Sequence, residues 1–273
     1  MKNFGVKIFN DKKKLKKLIS LAKSGRYSSP QIAKFLNCSR STVLGTLNKL
    51  DIHLQNLGTF KKKFSCDDKF FDKLSPISVY WVGFIAADGV LAERDKCVAI
   101  GLQRQDATHL RKFIKAMKSN SKILYIKSNN SAHVRIYSHI LFNSLAKLGL
   151  SPNKALRIQE VKIPLKLMSH FIRGVYDGDG SIWGNKITHV QFQIAGYKPL
   201  LEQIQHVLVK MCKLNKVKIY PLYKSKASRL QYTGSQIFRI LNFIYKGSTK
   251  QTRLERKYKK YIKMRRRFLE WKL

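Results

Sequence analysis

Acidic residues are scarce: 15 Asp plus Glu stand against 55 Lys plus Arg in 273 residues, a formal charge of +40. The cations run the whole length of the chain instead of forming a tail, and such a field favours a polyanion as partner. Cysteine is sparse as well. Cys38, Cys66, Cys97 and Cys212 show no C-x-x-C spacing, which argues against a disulfide framework and against a zinc site. His133 and His139 are not at ligand spacing, so no histidine-based metal cluster is expected. No apolar run approaches the roughly 18 to 20 residues that span a bilayer, and the N-terminal MKNFGVKIFNDKKKLKK lacks the apolar stretch of a signal peptide. These absences point to a cytoplasmic protein with no membrane partner. What is present in quantity is apolar: 44% hydrophobic residues suffice for a sizeable core and argue against general disorder.

Two stretches carry one pattern, YWVGFIAADGVL from Tyr80 to Leu91 and FIRGVYDGDGSI from Phe171 to Ile182. Each is a short apolar run ending in Asp-Gly. Small residues stand four apart in both, Gly83 and Ala87 in the first, Gly174 and Gly178 in the second. Residues at i and i+4 lie one above the other on a helix, so each run presents a strip where another backbone can come close. Gly89 and Gly180 fall where helices stop, expected in the left-handed conformation that glycine tolerates. Asp88 and Asp179 would then sit at two adjacent helix C-termini, where the dipole and the unpaired carbonyls are already negative. A divalent cation would resolve that conflict, and Mg²⁺ suits it because it takes a few hard oxygen ligands and keeps its waters.

At the N-terminus, Asp11 caps an amphipathic helix that stops at Gly25, Ser29-Pro30 opens a short second helix, and Ser39 caps a third, RSTVLGTLNKL. The arrangement resembles a helix-turn-helix over residues 1–52. In that motif the start of the last helix enters the major groove, which would present Arg40, Ser41, Thr42 and Thr46 to bases and Lys49 to phosphate. Residues 53–75, with weak periodicity and the Lys61-Lys62-Lys63 run, read as a basic linker.

After the first motif the spacing predicts strands at Val90–Glu93 and Val98–Gln103, a helix from Ala107 to Lys118 capped by Asp106, strands at Ile123–Lys127 and Ala132–Tyr137, and a helix from Ile140 to Leu148. The second half repeats this order, with strands at Lys186–Ala195, Lys216–Tyr223 and Arg229–Thr233 and helices at Pro199–Lys213 and Gln236–Lys246. A shift of 91 residues (179 minus 88) overlays Leu110 on Leu201, and a shift of 96 overlays Val134 on Leu230. The chain thus holds an internal duplication, repeat 1 over 76–164 and repeat 2 over 165–273. A basic amphipathic helix closes the chain, with Leu254, Tyr258, Tyr261 and Ile262 inward. On the polar strand faces, Gln103, His133, Arg135 and Tyr137 in the first repeat and Gln191, Gln193, Lys218, Tyr220, Arg229 and Gln231 in the second are groups that read or grip DNA, Arg and Gln through paired contacts to guanine and adenine.

The paired motifs resemble those of the LAGLIDADG homing endonucleases in the form where one chain carries both. Gly83 and Gly174 match the family's first glycine, Asp88 and Asp179 its second acidic position, Gly89 and Gly180 its last glycine. At the earlier acidic position the first copy departs, with Ala86 where the second keeps Asp177. The resemblance implies an α+β fold of tandem αββαββα repeats forming a DNA-binding saddle, monomeric and preceded by the small all-α unit. It implies Mg²⁺, with Mn²⁺ as an alternative, held by Asp88 and Asp179 with the backbone carbonyls of Ala87 and Gly178. The activity implied is double-strand cleavage of DNA at a long asymmetric site, leaving short 3′ overhangs. Basic residues of the family surround the scissile phosphates; Lys154 and Lys257 are the candidates here, with Lys250 a rival for Lys154. The family also includes maturases that act on intron RNA and DNA-binding regulators that no longer cut, and those stand as the alternatives.

Overall fold

The computed structural model describes residues 11–24, 27–52, 54, 64–152, 160–184 and 189–272, with side chains to 269. The chain divides into two compact units, 1–63 and 64–273.

Among the described residues the first unit has three helices: α1 (Lys12–Lys23), α2 (Ser29–Phe35) and α3 (Arg40–Lys49). Asp11 accepts from the backbone N–H of Lys13 and Lys14 at 3.0 and 3.1 Å, satisfying donors that a helix start leaves over. Ser28 caps α2 in a reciprocal box with Gln31, and Ser39 caps α3. Leu18, Ala22, Ile32, Ala33, Leu36, Val43 and Leu47 form its small core. The expected stop at Gly25 lies outside the described residues.

The second unit contains two copies of one α+β arrangement. The first consists of α4 (Pro76–Asp88), β1 (Gly89–Ala92), β2 (Cys97–Gln103), α5 (Ala107–Ala116), β3 (Leu124–Ile126), β4 (Ser131–Tyr137) and α6 (His139–Lys147). The second consists of α7 (Met168–Asp179), β5 (Gly180–Trp183), β6 (Gln191–Gly196), α8 (Lys198–Cys212), β7 (Tyr220–Pro221), β8 (Ser228–Thr233) and α9 (Ile237–Tyr245), followed by α10 (Glu255–Lys272). Each copy has an antiparallel four-stranded sheet, in the orders β1-β2-β4-β3 and β5-β6-β8-β7. This is the tandem αββαββα fold that the duplication predicts. The overlaid pairs Leu110 and Leu201, and Val134 and Leu230, are all buried in one continuous core.

Four features differ from the expectation. Gly89 and Gly180 are extended, with φ of −83° and −92°, so neither is glycine for its left-handed freedom. Each helix runs straight into a strand, and the bend leaves no room for a side chain: a Cβ on Gly89 would lie 2.7 Å from Ile85 Cα, and one on Gly180 would lie 2.5 Å from the Tyr176 carbonyl oxygen. The end of the expected linker is packed against repeat 1. Phe71 is buried, Asp67 N–H donates to Met117 O at 2.7 Å, Ser138 Oγ donates to Asp68, and Ser144 Oγ donates to Asp72 at 2.7 Å. These are turns, which have no period to detect; residues 53 and 55–63 lie outside the described residues. In repeat 2 the strand directly after the motif, β5, is one that its Gly-Ser-Ile-Trp composition did not announce. The expected Lys216–Tyr223 strand pairs only at Tyr220 and Pro221, proline being confined to edges; Lys186, the expected start of β6, lies outside the described residues.

Along α10, Tyr261 and Met264 are buried and Phe268 stacks on Phe238 at 4.2 Å, while Ile262 is exposed. Leu254 is buried just ahead of the helix.

Candidate functional site

The site is built on the contact between α4 and α7. From Ser78 to Ala86, α4 is buried all round, as a helix enclosed by two repeats must be. A Cβ on Gly83 would stand 2.1 Å from the carbonyl oxygen of Phe171, and one on Gly174 would stand 2.1 Å from that of Tyr80. One helical turn further on, a Cβ on Gly178 would meet Ala87 Cβ at 2.4 Å and Asp88 Oδ2 at 3.2 Å. The small-residue strips expected at 83/87 and 174/178 therefore face each other, and they bring the last turns of both helices together. Asp88 and Asp179 end up at neighbouring C-termini.

Each carboxylate opens on its own cleft. The first is lined by Asp88, Gln103, Asp106, His133, Gly178 and Arg256. The second is lined by Ala87, Asp179, Tyr197, Lys224 and Lys226, among others. Ladder register relates the two: Ile100 faces Gly89 as Ile194 faces Gly180, so Gln103 and Tyr197 hold equivalent places. The clefts differ in charge. In the first, Arg256 Nε donates to both oxygens of Asp106, at 3.0 and 2.9 Å. Asp106 therefore does not cap α5 with its side chain. In the second, Lys224 and Lys226 are exposed cations on the β7–β8 turn.

Lys257 lies beneath the end of α7. Its Nζ donates to the carbonyls of Tyr176 at 2.8 Å, Gly178 at 2.9 Å and Gly180 at 2.6 Å. Gly178 O is among the carbonyls that a helix C-terminus leaves without an internal donor, while Tyr176 O also accepts the Gly180 N–H and Gly180 opens β5; an ammonium at this end answers the negative pole. Burial lowers its pKa to about 8, with the nearby Asp177 pulling the other way. Lys257 is buried and all three of its donors point into the protein, so this ammonium does not project into either cleft as a phosphate contact. It shares the Gly178 carbonyl that the resemblance gives to a metal. Lys250 is exposed in the 3₁₀ turn Lys250–Thr252, and Lys154 lies outside the described residues.

A second feature behind the site, invisible in the motif pattern, is a buried network around Asp177. Tyr80 Oη donates to its Oδ2 at 3.0 Å, the Leu254 N–H donates to the same oxygen at 2.7 Å, and Tyr245 Oη donates to Oδ1 at 3.1 Å. Burial still dominates and raises the Asp177 pKa to about 6. Because Tyr80 spends its proton on Asp177, its oxygen accepts from His109 Nε2 at 2.7 Å. That tautomer leaves Nδ1 bare, and Nδ1 is without a partner among the rings of Trp81 and Phe84. Burial drops the His109 pKa to about 3, keeping it neutral. Arg173, also buried, donates to Thr252 O and Ile244 O, both at 2.7 Å. The departure between copies now has a physical basis. Asp177 has partners because α9 supplies Tyr245 and the residue just before α10 is Leu254.

The sheet faces carry the expected polar groups. Gln103, Arg135, Tyr137, Lys218 and Tyr220 are exposed, and Gln191, Gln193, Arg229 and Gln231 are half-buried. His133 folds over Gly101, where a Cβ would be 2.6 Å from its Nδ1, and its Nε2 pairs with Ser131 Oγ at 2.7 Å. Lys218 Nζ lies 5.4 Å from the Tyr220 ring centre. On α3 the structure exposes Arg40, Ser41 and Lys49 but buries Thr42 and Thr46. Arg40 Nε donates to Ser29 Oγ at 3.0 Å, and Thr42 Oγ1 pairs with Ser39 Oγ at 2.7 Å. Among the described residues no group of three or more His, Cys, Asp or Glu is placed to hold a metal, and no helix is long and apolar enough to cross a membrane.

No family model matches the chain, and no curated protein matches it. Solved structures do. Full-length DUF199/WhiA from Thermatoga maritima aligns with a TM-score of 0.47 at 16% identity over 73% of this chain, which spans 65% of that protein's length. The meganuclease I-SmaMI bound to uncleavable DNA with a TTGT central four gives 0.45 at 15% identity, over 71% of this chain and 91% of that one. I-DmoI in complex with DNA and Mn gives 0.41 at 21% identity, over 61% and 93%.

Proposed function

We propose that this chain is a site-specific DNA endonuclease that makes metal-dependent double-strand breaks at a long asymmetric site, acting as a monomer. The observation that carries the reading is the pairing of Asp88 and Asp179, one from each repeat, at helix ends in contact, each opening on its own cleft. Two centres in one chain match two strands of a duplex. The charge of +40 and the polar faces of the sheets supply the grip.

The residues fit Mg²⁺ or Mn²⁺. Asp88 and Asp179 each line an open cleft, and such ions need only one or two carboxylates beside water and phosphate oxygens. Asp88 and Asp179 would hold them, with the Ala87 and Gly178 carbonyls adjacent. When bound, the ions would polarise the phosphate and lower the pKa of a water nucleophile. Lys257 acts from behind: by taking three carbonyls it holds the last turn of α7, and hence Asp179, in place. The cleft cations Arg256, Lys224 and Lys226 are the groups positioned to meet phosphate, Lys154 remaining the sequence candidate. Arg40, Ser41 and Lys49, the exposed candidates on α3, would also contact duplex DNA.

The second reading is a DNA-binding regulator that does not cut. It draws on Lys257, whose ammonium already relieves the negative pole at the end of α7. Incubating a randomised-site plasmid library with the protein in Mg²⁺ separates the two. Double-strand breaks in the wild type that become nicks with Asp88→Asn or Asp179→Asn establish the endonuclease. Tight binding with no cut in Mg²⁺ or Mn²⁺ overturns it in favour of the regulator, and preference for structured intron RNA over duplex DNA would favour a maturase.

A further inference from the structure

The two sheets are equivalent in register but not in chemistry. One rung beyond the helix–strand joint, Val90, Ala99 and Arg135 stand side by side on the outer face of the first sheet. The equivalent rung of the second sheet holds Ser181, Gln193 and Gln231. Two apolar residues and an arginine thus occupy the places of a hydroxyl and two amides. Arg135 and Val90 are exposed, and Gln193 and Gln231 are half-buried.

The amides are also pre-oriented. Gln231 Nε2 donates to Gln191 Oε1 at 2.9 Å, so the pair offers Gln231 Oε1 as an acceptor and Gln191 Nε2 as a donor. Adenine shows a matching donor and acceptor in the major groove, N6–H and N7. Guanine shows two acceptors, O6 and N7, which suit the two-pronged guanidinium of arginine. Apolar side chains such as Val90 and Ala99 suit the methyl group of thymine.

We propose that Arg135 and Gln231, on equivalent rungs, read a guanine and an adenine respectively, so that the two half-sites differ at related positions and the protein binds its duplex in one orientation only. This rests on the duplex-binding reading above and assigns the base chemistry within it. The internal duplication alone would favour a palindrome; the exchange of Arg135 for Gln231 breaks it.

The test is selection of bound sequences from a randomised duplex library by the full chain in EDTA, which reads binding apart from cleavage. Wild type, Arg135→Gln and Gln231→Arg are compared. The expected result is a guanine in one half and an adenine in the other. Arg135→Gln should move the guanine preference to adenine by roughly tenfold or more in relative affinity, leaving the other half unchanged, and Gln231→Arg should do the reverse. The untouched half is the control for folding. The inference is overturned if both preferences survive the substitutions, or if either variant loses affinity equally for all sequences, the mark of a phosphate contact. If the wild type selects no duplex at all, the DNA reading itself falls.

Discussion

Gly83 and Gly174 touch backbone to backbone: the Cβ that either lacks would lie 2.1 Å from a carbonyl oxygen of the other helix. No rotamer change can relieve such an overlap, because the obstructing atoms are main chain. Gly83→Ala or Gly174→Ala should therefore push α4 and α7 apart at a cost of about 3 kcal/mol or more. Calorimetry of the full chain would show the transition of the second unit lowered while that of the first unit stays in place.

Removing Lys257 takes a charged donor from the carbonyls of Tyr176, Gly178 and Gly180 at the joint of α7 and β5. Lys257→Met should lower the stability of the second unit by roughly 2–4 kcal/mol. If Lys257 positions Asp179, cleavage should also shift towards single-strand nicks while the wild-type binding-site preference survives. Nicking assays on a supercoiled plasmid, paired with binding measurements, distinguish this from general unfolding.

The buried titrating groups pull in opposite directions in acid. Asp177, raised to about 6, takes up its proton in the folded state before the unfolded state does, so its contribution to stability grows as pH falls from 6 towards 4. His109, lowered to about 3, and His170, lowered to about 4, do the reverse, since the unfolded chain binds their protons first. Asp177→Asn removes the compensating group. Urea titrations between pH 4.5 and 6.5 should show a steeper acid loss of stability in this variant than in the wild type; an unchanged slope would contradict the buried network.

Arg256 and Asp106 share two short hydrogen bonds across 150 residues, but Arg256 is half exposed. Their coupling in a double-mutant cycle with Arg256→Ala and Asp106→Ala should accordingly be modest, about 1 kcal/mol. A larger value in the absence of DNA would mean that the pair is more enclosed than its exposure indicates.

The duplication and the glycine strips were legible because they rest on spacing: i and i+4 along a helix, and alternation along strands such as Ala132–Tyr137. Asp88 and Asp179 followed from position alone. What escaped depends on partners distant in sequence. Asp177 is an acid at the end of an apolar run until Tyr80, 97 residues away, donates to it. Lys257 is named by the resemblance as a phosphate contact, and only the fold reveals that its ammonium is taken up by three carbonyls. Asp106 stands where a cap belongs, and only the fold reveals that Arg256 claims it. Thr42 and Thr46 are the smaller failure: groove-facing and core-facing positions alternate every residue or two on so short a helix, and polarity does not tell them apart.

Both Asp-Gly joints pass from helix to strand without an intervening loop residue. A carboxylate at such a joint has no segment of its own in which to drift: it is carried by a rod on one side and a ladder on the other. With the rods in main-chain contact, the span between the two carboxylates is fixed by the fold and not by anything bound. The helix pair behaves as a gauge of set width, and anything that is to meet both carboxylates at once must match it.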